Sequence, residues 1–200
     1  MTKLIIAEGE PLSIQNFEQA IRFRINAAGP KDTQAAYEAA ADIISCVARI
    51  VPRPEYVQRS IFAAFEVLCR SDAVGVNALQ RALGRLSQER PVPLLLLRLL
   101  LECTRQQRGL GQFVCQQVMP TLVQNQIWTE KALWPGFIQL AKKYSTNKPP
   151  NCLPTLLSLP MQLLAQFLKI VPDAKISLAK HVSNQPHMVS PELRKLLEME

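Results

Sequence analysis

Residues 92–101 read VPLLLLRLLL, and this run constrains the chain more than any other feature. Wound as a helix it spans about 15 Å, half of the ~30 Å hydrocarbon core of a bilayer. Charged residues and a proline bound it: Glu89, Arg90 and Pro91 before, Glu102 and Arg105 after. No stretch approaches the ~20 apolar residues of a membrane span. The segment is therefore expected as a central core helix, starting at Pro91 or Pro93 and reaching about Thr104. Leu95, Leu96, Leu99 and Leu100 should face inward, with leucine nearly all round. Arg98 then belongs at the rim, stem packed and head outward.

Helical spacing continues on both sides. Ser13 is placed to cap a first helix carrying Phe17, Ile21 and Ile25, ended by Gly29-Pro30. Asp32 or Thr33 can cap a second, with Ala36, Ala40, Ile43 and Val47 on one stripe. A third, behind Pro54, carries Ile61, Ala64 and Leu68, with Phe62, Phe65 and Cys69 on a neighbouring stripe. A fourth shows Leu79, Leu83 and Leu86 on one face. Its other face, with Gln80, Arg81, Arg85 and Gln88, is expected to be wet.

Beyond the leucine run, a helix over about 110–126 uses Phe113, Val114, Val118 and Leu122, and Pro120 should kink it. Thr129 can cap the next. Trp128, Trp134 and Phe137 are expected in its core stripe, and Pro135-Gly136 should bend or split it. Residues 144–152, YSTNKPPNC, give the strongest linker signal and are expected to form a flexible junction. Shorter helices should follow over about 153–159, 160–170, 173–181 and 191–199. No segment alternates convincingly as a strand. The expected fold is all-α, a HEAT-like α-solenoid of antiparallel pairs with about nine to ten helices, in a single domain over 1–200.

The search for chemistry is mostly exclusion. Five cysteines (46, 69, 103, 115 and 152) include no CxxC pair, so zinc knuckles are not expected and reduced thiols are. The two histidines, His181 and His187, lack carboxylates at a ligand spacing. No phosphate loop, dinucleotide fingerprint or nucleophile elbow occurs. Neither catalysis, metal, cofactor nor small-molecule substrate is expected.

The net charge of +7 is concentrated in two regions. Residues 49–108 hold ten arginines against five acids, and residues 131–180 hold seven lysines against one. Excess basic charge admits a polyanion partner such as RNA, although no aromatic residues interleave as a base-stacking surface requires. Arg81, Arg85, Arg98, Lys142 and Lys143 are the candidate partner-facing charges.

A resemblance carries the reading further. RPVPLLLLRLLLECTRQQRGLGQFV, then QIWTEKALWPGFIQLAKK, then LPTLLSLPMQLLAQFLKIVPDAKISLAKHV resemble the C-terminal domain of the symplekin family. The family's "PLPxLLMRT", "RLxGFV", "QVWxxxxVWxGF", "LLxLPxxQL" and "PxLxxxLxxHV" segments fall on Pro91 to Leu100, Arg108 to Val114, Gln126 to Phe137, Leu156 to Leu163 and Pro172 to Val182. Gln112 stands where the family has a glycine, and Pro135 departs between Trp134 and Gly136. The resemblance covers about 55–190 and leaves 1–54 as helices of unclear match. It implies a nuclear, non-catalytic scaffold of pre-mRNA 3′-end cleavage and polyadenylation. The partners it implies are the metallo-β-lactamase endonuclease and its inactive paralogue, with RNA a possible secondary contact.

Overall fold

The computed structural model describes residues 14–30, 33–50, 55–183 and 190–198, the side chains of 14 and 55–60 excepted. Among these the chain is all helical, with antiparallel pair contacts and no strand. Contacts divide it into two compact units, Met1–Leu110 and Gly111–Glu200. Residues 144–152 fall inside the second.

Five helices build the first unit: α1 (Ile14–Ala28), α2 (Gln34–Ala48), α3 (Glu55–Arg70), α4 (Gly75–Gln88) and α5 (Leu96–Gln106). Of the expected caps, Thr33 accepts from the Ala36 N–H at 3.3 Å, which satisfies one of the orphan donors of a helix start. Ser13, Asp32 and Pro54 lie outside the described residues.

The apolar stripes read from the sequence form the core. Phe17, Ile21 and Ile25 are buried on α1, and Ala36, Ala40, Ile43 and Val47 on α2. Alternate helices pack together, α1 on α3, α3 on α5 and α2 on α4, as stacked helix pairs do. The α2–α4 contact is the most extensive among the described residues. Alanines explain it, because Ala36, Ala40, Ala78 and Ala82 are all buried and let the two backbones approach. Arg49 and Glu89, just past the ends of the same two helices, pair at 2.5 Å.

The leucine run behaves as a core element with two departures. Leu95, Leu96, Leu97, Leu99 and Leu100 are buried, Leu101 is half-buried and Leu94 is 52% exposed. The helix starts at Leu96 instead of at either proline. Pro93 supplies the carbonyl that the Leu96 N–H binds at 3.0 Å, a turn that precedes the helix.

The next helix, α6 (Leu110–Gln124), is continuous but irregular. An α turn, Leu110–Phe113, leads into a π turn, Val114–Val118, and then into Met119–Gln124. The Met119 N–H reaches back five residues to the Val114 carbonyl. Pro120 follows directly. It has no N–H to give to the turn before it, and the wide turn absorbs that missing donor. The expected kink at Pro120 therefore takes the form of a π turn.

The next expected helix proves to be two pieces. Ile127–Thr129 is a single 3₁₀ turn, and α7 begins only at Trp134, running to Tyr144. Pro135 sits in its first turn, where a missing N–H costs nothing, so it opens the helix instead of splitting it. The remaining helices, α8 (Leu153–Leu157), α9 (Met161–Ile170), α10 (Asp173–Ser183) and α11 (Pro191–Leu197), lie where the proline punctuation placed them. Counting α6 as one, eleven helices are described.

Candidate partner-binding surfaces

Of the residues expected in the core, Leu95, Leu96, Leu99, Leu100 and Phe137 are buried, but Phe113, Trp128 and Trp134 are half-buried. Trp128 is displaced because the 3₁₀ turn breaks the helical stripe on which it was counted. Trp134 lies at the first residue of α7 and covers Phe137 from outside, with ring centroids 5.3 Å apart and planes 10° from parallel. Mutual stacking occupies one face of each ring.

The candidate charges occupy three settings. Arg81 and Arg85 reach from α4 toward α2, Arg81 half-buried and Arg85 still exposed. The Glu38 carboxylate accepts from Arg81 at 2.5 Å and from Arg85, and Arg85 also reaches Asp42 at 3.3 Å. Arg81 donates a second bond to Gln34 Oε1 at 2.6 Å and lies 6.0 Å from the Tyr37 ring centroid. The Arg85 hydrogen bond, with that of Arg81, holds the Glu38 carboxyl below its usual range. The face read as wet is therefore partly an inter-helix brace.

Arg98 stands on exposed ground. Its guanidinium carbon is 4.7 Å from the centroid of the Phe62 ring, which supports the planar cation from below. The two residues border a depression of about 210 Å³ that Phe65, Glu66, Glu102 and Arg105 complete. Burial works to raise the Glu102 carboxyl, but hydrogen bonds from Gln106 and Arg105 outweigh it and leave the group lowered and ionised. The depression thus offers two arginines, two carboxylates and an aromatic edge.

Lys142 and Lys143 occupy the last turn of α7, where cations complement the helix dipole, and both are exposed. Lys143 lies 5.4 Å from the Tyr144 ring centroid, and partial burial lowers its pKa. A wider groove of about 640 Å³ in the second unit is lined by Gln112, Gln116, Pro120, Pro149, Pro150 and neighbours, with no charged side chain. Among the described residues no group of histidines, cysteines and carboxylates is placed to hold a metal ion. No described helix is long and apolar enough to cross a membrane.

Compared with known families, the chain matches the model described as symplekin tight junction protein C terminal over residues 5–171. The chain belongs to the symplekin C-terminal family. The match starts well before residue 55, so it takes in α1 and α2, which the motif resemblance had left aside, and it ends at the turn after α9. No solved structure matches the chain. The symplekin motifs are mainly packing positions: Leu96, Leu99, Val114, Phe137, Leu156, Leu178 and Val182 are all buried. They specify how symplekin helices stack, and that is why they identify the family without marking an interface. What sequence reasoning missed is the Glu38 brace, whose members lie 43 and 47 residues apart. Glu38 sits on the polar side of its stripe, and no local signal points to either arginine.

Proposed function

We propose that this chain is a non-catalytic scaffold of pre-mRNA 3′-end processing in the nucleus. It binds the metallo-β-lactamase endonuclease of the cleavage machinery and its inactive paralogue. The observation that carries this reading is the family match across residues 5–171, joined by a fold of stacked helix pairs. Such stacks hold a fixed surface for other proteins. Arg98, Lys142 and Lys143 are the charges we assign to partner contact. Arg98 is pre-ordered by Phe62, so it gives up little side-chain freedom on binding. Arg81 and Arg85 act first as a brace through Glu38 and Asp42, two cations against two carboxylates, and contribute to binding only through the exposed side of Arg85.

The test is a pull-down of the purified endonuclease pair by this chain. The wild-type chain should retain both subunits, and Arg98→Glu with Lys142→Glu and Lys143→Glu should weaken retention at least tenfold with the helical circular dichroism unchanged. No retention by the wild-type chain would overturn the proposal.

Direct RNA binding is the second reading. Lys131, Lys142, Lys143, Lys148, Lys169 and Lys180 are all exposed, which favours it. It requires an affinity for poly-U that falls steeply with salt. Gel shift at physiological salt without a complex below tens of micromolar removes it.

A further inference from the structure

Two of the five cysteines are brought together by packing. Cys69 lies in the last turn of α3 and Cys103 in α5, and both are buried. Their Sγ atoms are 2.8 Å apart, although 34 residues separate them. Two sulfurs at rest stand farther apart than this, and a disulfide closes to about 2.05 Å. The site is built rather than accidental. α3 packs on α5 along this line, and the Gln107 side-chain amide bonds the Cys69 carbonyl at 2.9 Å, fixing the end of α3 against the end of α5. Leu68 and Leu100, one on each of the two helices, are fully buried, so the pair lies in a dry layer.

We propose that Cys69 and Cys103 are an oxidative modification site, closing to an intramolecular disulfide that staples α3 to α5. The oxidant is a peroxide. One thiol reduces hydrogen peroxide, taking one oxygen as a sulfenic acid and releasing a water. The second thiol attacks that sulfur, the S–S bond forms, and the sulfenic oxygen leaves as a second water. Two electrons pass from the thiol pair to the peroxide, and both thiol hydrogens end in water.

Burial sets the rate. The Cys103 thiol is held protonated by its contact with Cys69 and by its dry surroundings. Reaction therefore waits for α3 and α5 to open locally, and it is slower than at the exposed Cys46. Once formed, the bond closes a loop of more than thirty residues, and it should raise the melting midpoint by about 5–15 °C. Arg98 and Phe62 sit on the same two helices, so the staple would also stiffen the cation–ring contact.

The experiment uses the full chain with Cys46→Ser, which removes the exposed thiol. The protein is held with excess hydrogen peroxide just below its melting transition for a day, then denatured and alkylated. Two of its four remaining thiols should be blocked, and trypsin should release peptides 60–70 and 99–105 joined, about two mass units below their sum. Dithiothreitol should restore all four thiols and the lower melting midpoint. A Cys103→Ser version should give no such linked peptide and no rise in melting midpoint under the same treatment. Four free thiols after oxidation, or a cross-link that joins any other pair, would overturn the proposal.

Discussion

Glu38 on α2 and Arg81 on α4 pair at 2.5 Å, with Arg85 closing on the other carboxylate oxygen. This bond joins the two helices with the largest shared contact. It depends on pH. The folded Glu38 carboxyl titrates below its ordinary value of 4.5. Its contribution is therefore fully present above that value and is lost as pH falls through the lower, folded value. Glu38→Gln should lower the melting midpoint modestly at pH 7, and the gap from wild type should close on acidification below about pH 4. Thermal melts across pH 2–7 check this. A constant gap would show that the carboxylate is not the group that matters.

The leucine run allows a comparison across six residues. Leu100 is fully buried, whereas Leu94 is 52% exposed. Leu100→Ala should cost about 2–5 kcal/mol, the usual range for a buried leucine emptied to a cavity. Leu94→Ala should stay within about 0.5 kcal/mol. Urea denaturation of both variants measures the difference, and equal losses would contradict the burial pattern.

Gly111 cannot carry a side chain without displacing its neighbours. A Cβ there would stand 2.8 Å from Pro150 Cγ and 3.2 Å from the Tyr144 hydroxyl. Neither a proline ring nor a buried tyrosine yields easily. Gly111→Ala should cost about 1–3 kcal/mol despite the better helix propensity of alanine. Gly109 has open space at the same point, and Gly109→Ala should be close to neutral by the same denaturation assay.

Cysteine labelling should separate by burial. Burial pushes the Cys115 thiol up to about 12, and raises Cys152 further, whereas Cys46 is exposed. At pH 8 the native chain should take one equivalent of maleimide within minutes, at Cys46. The others should follow only on the timescale of unfolding. Peptide mapping after timed quenching reads this directly, and rapid labelling of Cys115 would contradict its burial.

Helix placement was legible because period 3.6 and proline punctuation are local signals. Phe17, Ile21 and Ile25, or Ala36, Ala40 and Ile43, can be counted along the chain with no knowledge of tertiary structure. The leucine run was legible for the same reason. Three things were not. The Glu38 brace depends on which faces of α2 and α4 meet, and helical periodicity gives only the face, not its neighbour. Trp134 was assigned to the core by its i, i+3 spacing with Phe137, yet a residue at the first turn of a helix has less of the stack around it. The stretch 127–133 kept helical spacing by chance, and its chain turns instead through Gln126, which adopts a left-handed backbone with φ 53°. As for the candidate surface, sequence showed where charge accumulates. Whether each charge is paired with a neighbouring helix, as with Arg81 and Arg85, is settled only by contacts across the stack.

The wide turn ahead of Pro120 works as a phase shifter. Each residue of an α-helix advances the chain by 100°, and a turn that takes in one residue more than usual offsets every later side chain by about that angle. Leu122 and Val123, both buried, owe their inward heading to this offset. Deleting a single residue between Val114 and Val118 would remove the surplus and let the turn close with ordinary α spacing, so these two would keep their inward heading. In this part of the molecule the backbone takes up a surplus residue, and Val114, Val118 and Leu122 stay on one dry flank.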